Sequence, residues 1–526
     1  MHDLSEKHDE KCYDVAVIGG ALSGASTALL LKRADPTLRI VLIEKNAAFK
    51  RRVGEATVEV SGYFLCRKLG LTRFLTETQL CKNGLRFWFS NDHTSRVRDC
   101  SEIGGKYLST VPSFLVDRAV LDEEVLNRAI SEGVDLIRPA QVISAELLAG
   151  AEQTLKVRSE IGESTLLARW VVDASGVKCL LARANGWHRA TDGHPTLAIW
   201  SRWRGARDWD DASLSDSESD FARSFVGIRG TATNHLIGDG WWAWWISLKG
   251  GDTSIGVVID QRRVEWPDDR VPVGEKLREF LSQHAGAREM LKGADYIEGD
   301  VHFRRNLPYH STVQAGDGFV LTGDASAFLD PFYSPGMDWI AFTASSAVRI
   351  IMSWRRNENL ADEVERHNRE FTMSYQRMLE ALYENKYDYM GDYDLMQVAF
   401  RLDIALYYLF VAKVIFQSGG KDLYQPPYSH KNAWPVFWLM RFYNRRMASI
   451  GRQRRKDCRF GCHNNGHRDL FGGFNFKSSQ LLKIIIWALF GWICLELQEG
   501  WKSWFSPAHT SASQSNTVPE VAEAMD

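Results

Sequence analysis

YDVAVIGGALSGASTALLLKR, residues 13–33, decides the architecture. Residues 13–19 form an uninterrupted, mainly apolar run, the pattern of a strand buried on both faces. A glycine-rich turn follows at 19–24, and SGASTALLLKR beyond it has the apolar spacing of a helix. RIVLIEK at 39–45 reads as a second buried strand. Strand, glycine turn, helix and strand make a βαβ unit, and such crossovers build parallel sheets with helices on their faces.

The turn itself, Gly19-Gly20-Ala21-Leu22-Ser23-Gly24, carries chemistry. Backbone N–H groups at a helix start face an anion, and the helix dipole favours negative charge there. Gly19, Gly20, Ser23 and Gly24 are therefore candidate pyrophosphate-binding residues, with Ala21 replacing the usual middle glycine. Glu44 ends the second strand, twenty residues after Gly24, where a carboxylate accepts hydrogen bonds from ribose hydroxyls.

Outward from this unit the pattern changes. Segments at about 90–115 and 196–305, including TLAIWSRWRG, WWAWWISLKG and DTSIGVVID, read as strands of a second, more antiparallel sheet. Between them, 116–133 reads as a helix and ARWVVDASG, 168–176, as a return to the first sheet. GFVLTGDAS at 318–326 is another buried strand and turn, followed by a helix from Met337. Beyond about 356 the chain reads as helical to 505, and the small, polar and acidic residues 506–526 read as a disordered tail. Residues 1–12 are polar and charged, a flexible leader without the apolar core of a secretory signal.

The composition narrows the function classes. A net charge of −2 gives no electrostatic reason to expect nucleic acid as a partner. Eight scattered cysteines suggest reduced thiols and a cytoplasmic setting. Nineteen tryptophans, several of them near Trp242, suit a pocket for a flat apolar guest.

Two later segments specify the nucleotide. Leu321-Thr322-Gly323-Asp324-Ala325-Ser326 resembles the G-D-A stretch of flavin monooxygenases, whose Asp contacts the ribityl chain, and Val172-Asp173-Ala174-Ser175-Gly176 resembles a second segment of that superfamily. The resemblance implies FAD and an α/β, Rossmann-like FAD domain of the p-hydroxybenzoate-hydroxylase type over 13–355, with the second sheet as a substrate layer.

Four further motifs resemble the flavin-dependent halogenases. Gly54-Glu55-Ala56-Thr57 is similar to the family's G-E-A/S-T segment, which places Glu55 against the flavin. Cys81-Lys82-Asn83-Gly84-Leu85-Arg86-Phe87-Trp88-Phe89 is similar to the K-x-G-x-x-F-x-F segment, which makes Lys82 the catalytic lysine that holds or captures hypohalous acid. Trp242-Ala243-Trp244-Trp245-Ile246 matches the start of W-x-W-x-I-P, with Ser247 for the proline; the implied role of Trp242 and Trp244 is to gate flavin from substrate. Asp330-Pro331-Phe332-Tyr333-Ser334-Pro335-Gly336-Met337 resembles the halide loop, in which two amides, here Pro335 and Gly336, face the halide. The resemblance adds Arg118 and Met337 to the flavin-contacting set.

The halide loop departs from the family twice. Tyr333 stands where tryptophan-type enzymes carry a Glu, which points away from tryptophan and toward phenol-like rings. Pro335 has no N–H to give a halide. The resemblance thus implies an FADH2-dependent halogenase of a small aromatic, free or carrier-bound, served by a separate NAD(P)H-dependent reductase. The alternative is a flavin monooxygenase or oxidoreductase that does not use halide.

Two C-terminal features stay open. LLKIIIWALFGWICLEL, 481–497, is short for a transmembrane span. With basic residues before it and Trp501 and Trp504 after it, 481–504 suits either peripheral membrane contact or a helix buried on the catalytic body. Cys458, Cys462, His463 and His467 lack the spacing of a zinc finger and read as unpaired loop residues, so no metal is expected.

Overall fold

A computed structural model describes residues 12–214, 228–267, 270–472 and 475–504. The leader before Cys12 and the tail 506–526 fall outside these residues.

The opening stretch folds as its pattern requires. Strand Cys12–Ile18 pairs in parallel with Ile40–Ile43 on one side and with Gly162–Asp173 on the other. Phe319–Leu321 extends the parallel run beyond Gly162–Asp173, and Asp135–Ile137 extends it beyond Ile40–Ile43. The core strands Ile40–Ile43 and Phe319–Leu321 are buried throughout, as a sheet covered on both faces demands. Helix Leu22–Ala34 lies between helices Arg118–Ser131 and Gly336–Arg355 on one of those faces.

The second sheet has nine strands and is mainly antiparallel. Its centre is Thr196–Arg204, Thr253–Asp260, Trp241–Ser247 and Thr233–Gly238, continued by Leu85–Phe89 and Ser101–Gly105. The tryptophan-rich strand Trp241–Ser247 alternates between two cores. Trp242 and Trp244 join the large core shared with the helices, whereas Trp241 and Trp245 pack with Trp88 and Trp209 on the other face.

The mainly helical C-terminal region also reaches the second sheet. Arg468–Phe471 adds a parallel strand to the edge of the second sheet beside Ser101–Gly105. Four residues between glycines and charges carry too short an alternation to read as a strand. The helices Leu360–Met378 and Tyr393–Tyr407 and the turns that extend them close over the open face of that sheet, and a cavity remains between them and the sheet.

Candidate functional site

The four loops singled out by sequence lie at one end of the first sheet, beyond the carboxyl ends of its parallel strands, where open α/β sheets bind ligands. The chain there leaves no room for side chains at two of the glycines. A Cβ on Gly24 would lie 1.9 Å from the Gly19 carbonyl oxygen, and one on Gly19, whose φ is +99°, would lie 2.5 Å from the carbonyl of Ala174. Helix Leu22–Ala34 begins without a side-chain cap and without an acid in its first turn, so its leading amides stay available to an anion.

Glu44 is buried and braces this loop. One carboxylate oxygen accepts from the Gly20 N–H at 2.8 Å, and the other from the backbone and side chain of Asn46 at 2.9 Å. Ser23 Oγ bonds Thr322 Oγ1 at 3.0 Å and ties the glycine turn to the Gly323–Ala325 turn. The carboxylate of Asp324 has no hydrogen-bond partner among the described residues. Burial raises its pKa, while Arg304, Arg118 and Arg52 pull it back. Asp173 differs, since its carboxylate is consumed by the amides of Ser175 and Leu181 and shapes the turn. A glycine cradle, an uncapped helix start and a carboxylate still wanting donors fit the pyrophosphate and ribityl hydroxyls of FAD.

Arg118 and Glu55 lie at the seam between the two sheets. Arg118 pairs with Asp122 at 3.0 Å and reaches the carbonyl of Gly54 at 3.4 Å. Glu55 is buried and takes two hydrogen bonds from Arg202, at 2.8 and 3.1 Å, while Arg202 also binds Asp117 at 2.8 Å. Burial pushes the Glu55 carboxyl up to about 7 against the pull of Arg202.

Lys82 is 2% exposed and lies on the wall of a cavity of about 360 Å³. Its backbone N–H donates to the carbonyl of Ser113 at 2.8 Å, beside the short ribbon of Leu80–Cys81 and Phe114–Leu115. Its Nζ donates to the carbonyl of Thr57 at 2.7 Å. The lysine segment and the Gly54–Thr57 segment thus meet through one hydrogen bond. Burial lowers the Lys82 ammonium to about 8, partly offset by Glu59 and Asp338.

Those two acids escaped the motif reading. Asp338, one residue past the halide loop, lines the cavity and is buried. It accepts from the Ser61 N–H at 2.8 Å and from Tyr407 Oη at 3.2 Å, and burial pushes its carboxyl up to about 7. Glu59 accepts from Tyr408 Oη at 2.6 Å. The tyrosines come from the far helical region, and no local signal in LDIALYYLF marks them. The remaining lining is chiefly aromatic and aliphatic, including Trp339, Phe342, Phe400, Tyr383 and Leu382.

The halide loop forms the inner wall. Tyr333 and Ser334 have φ of 69° and 56°, and the chain then enters helix Gly336–Arg355 through Pro335. Pro335 lines the cavity, and its carbonyl accepts the first helical bond, from the Trp339 N–H at 2.9 Å. The Gly336 and Met337 amides precede that bond and have no helical acceptor. A Cβ on Gly336 would meet nothing within 4 Å. Tyr333 also lines the cavity and donates to Asp403 at 2.9 Å, in a buried cluster with Lys386, whose Nζ lies 2.6 Å from the same carboxylate.

Trp242 and Trp244 lie behind this wall and not on it. Trp242 Nε1 donates to Tyr387 Oη at 2.9 Å, Tyr387 donates to Asp330 at 2.8 Å, and the Phe332 ring packs on Trp242 at 5.1 Å. Trp244 Nε1 donates to Ser254 Oγ at 3.1 Å. Neither indole lines the cavity.

Among the remaining candidates, His463 pairs with Asp394 at 2.9 Å, with Cys462 within 4.8 Å of both. Arg454 also occupies that Asp394 oxygen at 3.0 Å. The loop residues are therefore not all unpaired, and the cluster is an ion-pair network in which a guanidinium takes the place a cation would need.

Known proteins similar to this chain include flavin-dependent halogenases. A family model described as tryptophan halogenase matches residues 14–98. The chain is 26% identical over 362 residues to a flavin-dependent halogenase, chlA, of Dictyostelium discoideum, covering 62% of this chain and 58% of that protein. It is 25% identical over 392 residues to the flavin-dependent halogenase armH3 of Armillaria mellea, covering 70% and 72%. The crystal structure of halogenase PltM in complex with phloroglucinol and FAD superposes with a TM-score of 0.68 at 18% identity, covering 91% of this chain and 96% of that one. The alignment thus spans less than two thirds of the Dictyostelium protein, and the structural match is one of fold.

Proposed function

We propose that this chain, similar in sequence to the flavin-dependent halogenases, is itself an FADH2-dependent halogenase of an electron-rich, phenol-like aromatic. The observation that carries the reading is the buried Lys82 ammonium, fixed on the Thr57 carbonyl at the wall of an aromatic-lined cavity. That cavity also holds the start of helix Gly336–Arg355.

Reduced FAD, once bound, would supply the two electrons with which O2, a halide and a proton give water and hypohalous acid, leaving FAD. The protein's part is to bind, orient and move protons. Gly19, Gly20, Ser23 and Gly24 would hold the pyrophosphate, Glu44 the ribose side and Asp324 the ribityl chain, while Glu55, Arg118 and Met337 would contact the flavin. The Gly336 amide would receive the halide. With Pro335 lacking an N–H, halide affinity falls by about 1–3 kcal/mol relative to a loop with one more donor, which favours the less strongly hydrated bromide.

Within the cavity the Lys82 ammonium donates to the oxygen of hypohalous acid and makes it a better leaving group. Asp338, whose carboxyl sits near neutrality, accepts the proton that the ring gives up as the carbon–halogen bond forms. Hypohalous acid and arene thereby become haloarene and water. Phloroglucinol in the PltM complex is a phenol, which supports a phenolic guest here. No second nucleotide motif is evident in the sequence, so a separate NAD(P)H-dependent reductase supplies the reduced flavin. Phe332 and the Trp242–Trp244 pair behind it keep the two compartments apart from within the wall.

The test is reconstitution with FAD, a flavin reductase, NADH, halide and a panel of phenols. A product with the halogen isotope pattern supports the reading. Incorporation of oxygen without halide dependence selects the monooxygenase reading instead.

A further inference from the structure

The C-terminal helix that the sequence left open is docked on the body along one side only. Helix Ser478–Leu495, continued by a turn to Gly500, buries Leu481, Ala488 and Leu495 at heptad spacing, and Gly491 faces Val398. Glu496 pairs with Arg446 at 2.7 Å and Lys413 bonds Ser478, which fixes both ends of the helix. The opposite face carries Leu482, Ile486, Phe490, Ile493 and Leu497 in a single helical stripe, with Ile486 and Phe490 each 65% exposed.

The stripe continues onto neighbouring elements. Phe442 of helix Trp434–Lys456 packs on Trp492 and Trp504, at ring distances of 5.8 and 6.4 Å, and is itself exposed. Trp434 and Trp438 on that helix, and Trp501 and Trp504 beyond the first, are exposed too. A contiguous apolar face of this extent is uncommon on a soluble monomer.

Charge on this face is sorted by depth. The only carboxylates between residues 477 and 504 are Glu496 and Glu499, and both are turned inward, onto Arg446 and onto Arg454 and Arg459. Helix Trp434–Lys456 has no acid at all. Exposed Lys477, Lys483, Lys502 and Arg445 border the apolar stripe. Indoles at the ends of an aliphatic stripe, with cations beside it and no outward acid, match the acyl–headgroup boundary of an anionic bilayer.

We propose that this face is a monotopic membrane-docking surface that seats the enzyme on an anionic lipid bilayer. The helix is long and apolar enough to cross a membrane, but its ion pairs and buried heptad hold it lengthwise against the body, so it lies in the interface plane. Docking also places the cavity near the lipid. Leu481 forms one buried cluster with Val111 and Tyr408, and Tyr408 lines the cavity. The loop that leads to Val111 carries exposed Tyr107 and Leu108, which also line it. A lipophilic substrate partitioned into the bilayer would enter there. The docking claim stands apart from the halogenase reading, because its readout is binding alone.

The test is flotation of the full-length protein with phosphatidylcholine vesicles, with and without phosphatidylserine. The expected result is co-flotation that strengthens with phosphatidylserine and weakens with salt. The double variant Ile486→Glu/Phe490→Glu should lose binding by about tenfold or more while keeping its circular dichroism and bound FAD. Lys477→Gln/Lys483→Gln should lose the phosphatidylserine dependence first. A monomer that never floats overturns the proposal. So does a vesicle-free dimer abolished by the same Glu variants, which would assign the face to a second copy of the chain.

Discussion

Lys82 Nζ and the carbonyl oxygen of Thr57 are 2.7 Å apart, so two motifs separated by twenty-five residues meet in one buried hydrogen bond. Thr57 is anchored in turn, because its Oγ1 accepts from the Phe114 N–H at 2.6 Å and its own N–H donates to the Phe114 carbonyl at 2.9 Å. The ammonium is thereby positioned by a fixed backbone rather than by a flexible side chain.

Thr57→Val should expose that dependence. It leaves the buried Phe114 N–H without its hydroxyl acceptor, a loss of about 1–3 kcal/mol in unfolding free energy. Halogenation should fall with it while FAD stays bound, and Thr57→Ser should restore both. Denaturant titration and product formation measured on the same preparations check this.

The pH profile should be bell-shaped. Asp338 is protonated below about 7 and can no longer accept the ring proton, and Lys82 loses its ammonium above about 8. In Asp338→Asn the acid limb of kcat/KM should vanish while the alkaline limb stays. Stability carries a matching sign. The folded pKa of Asp338 is raised by burial from its ordinary 3.8, so its contribution is full on the acid side of that value. It is lost as pH rises through about 7, so thermal scans of wild type and Asp338→Asn should agree at acid pH and diverge above about 7, with wild type the less stable. An acid limb unchanged in Asp338→Asn would remove the carboxylate from the chemistry.

Gly24→Ala should abolish flavin binding. Its Cβ would lie 1.9 Å from the Gly19 carbonyl oxygen, so the pyrophosphate turn must shift. Flavin fluorescence titration should show a loss of about a hundredfold or more in affinity, of the order expected when several phosphate–amide hydrogen bonds are displaced together. Ala21→Gly, at the position where the chain already tolerates a methyl, should bind FAD at least as well as wild type.

The buried pair Lys386–Asp403 braces Tyr333 in the cavity wall. Asp403→Ala strands a buried ammonium and should cost about 3–5 kcal/mol of stability. Lys386→Met combined with Asp403→Asn removes both charges and should cost markedly less than Asp403→Ala. Chemical denaturation of the three proteins measures the difference.

Much of this was legible in the sequence because it is local. The Gly19–Gly24 turn, Glu44 and Asp324 occupy loops whose strands announce themselves as continuous apolar runs. The second sheet follows from the alternation around Trp242. What stayed hidden was assembled across the fold. Tyr407 and Tyr408 reach Asp338 and Glu59 from nearly seventy and three hundred and fifty residues away along the chain. Arg468–Phe471 is too short for periodicity to show, and only its pairing with Ser101–Gly105 makes it a strand. The W-x-W spacing puts Trp242 and Trp244 on one face of their strand, but spacing does not show that the Phe332 ring, supplied by another loop, packs on Trp242 at 5.1 Å.

The most direct measurement is halide-dependent turnover of a phenol by Lys82→Ala and Lys82→Met beside wild type, with bound FAD quantified in each. The account predicts wild-type product with the halogen isotope pattern. It predicts a loss of about a hundredfold or more in both variants at unchanged FAD content, the order of effect for removing a preorganised donor from a water-excluded site. Halogenated product formed at the wild-type rate by either variant would contradict it.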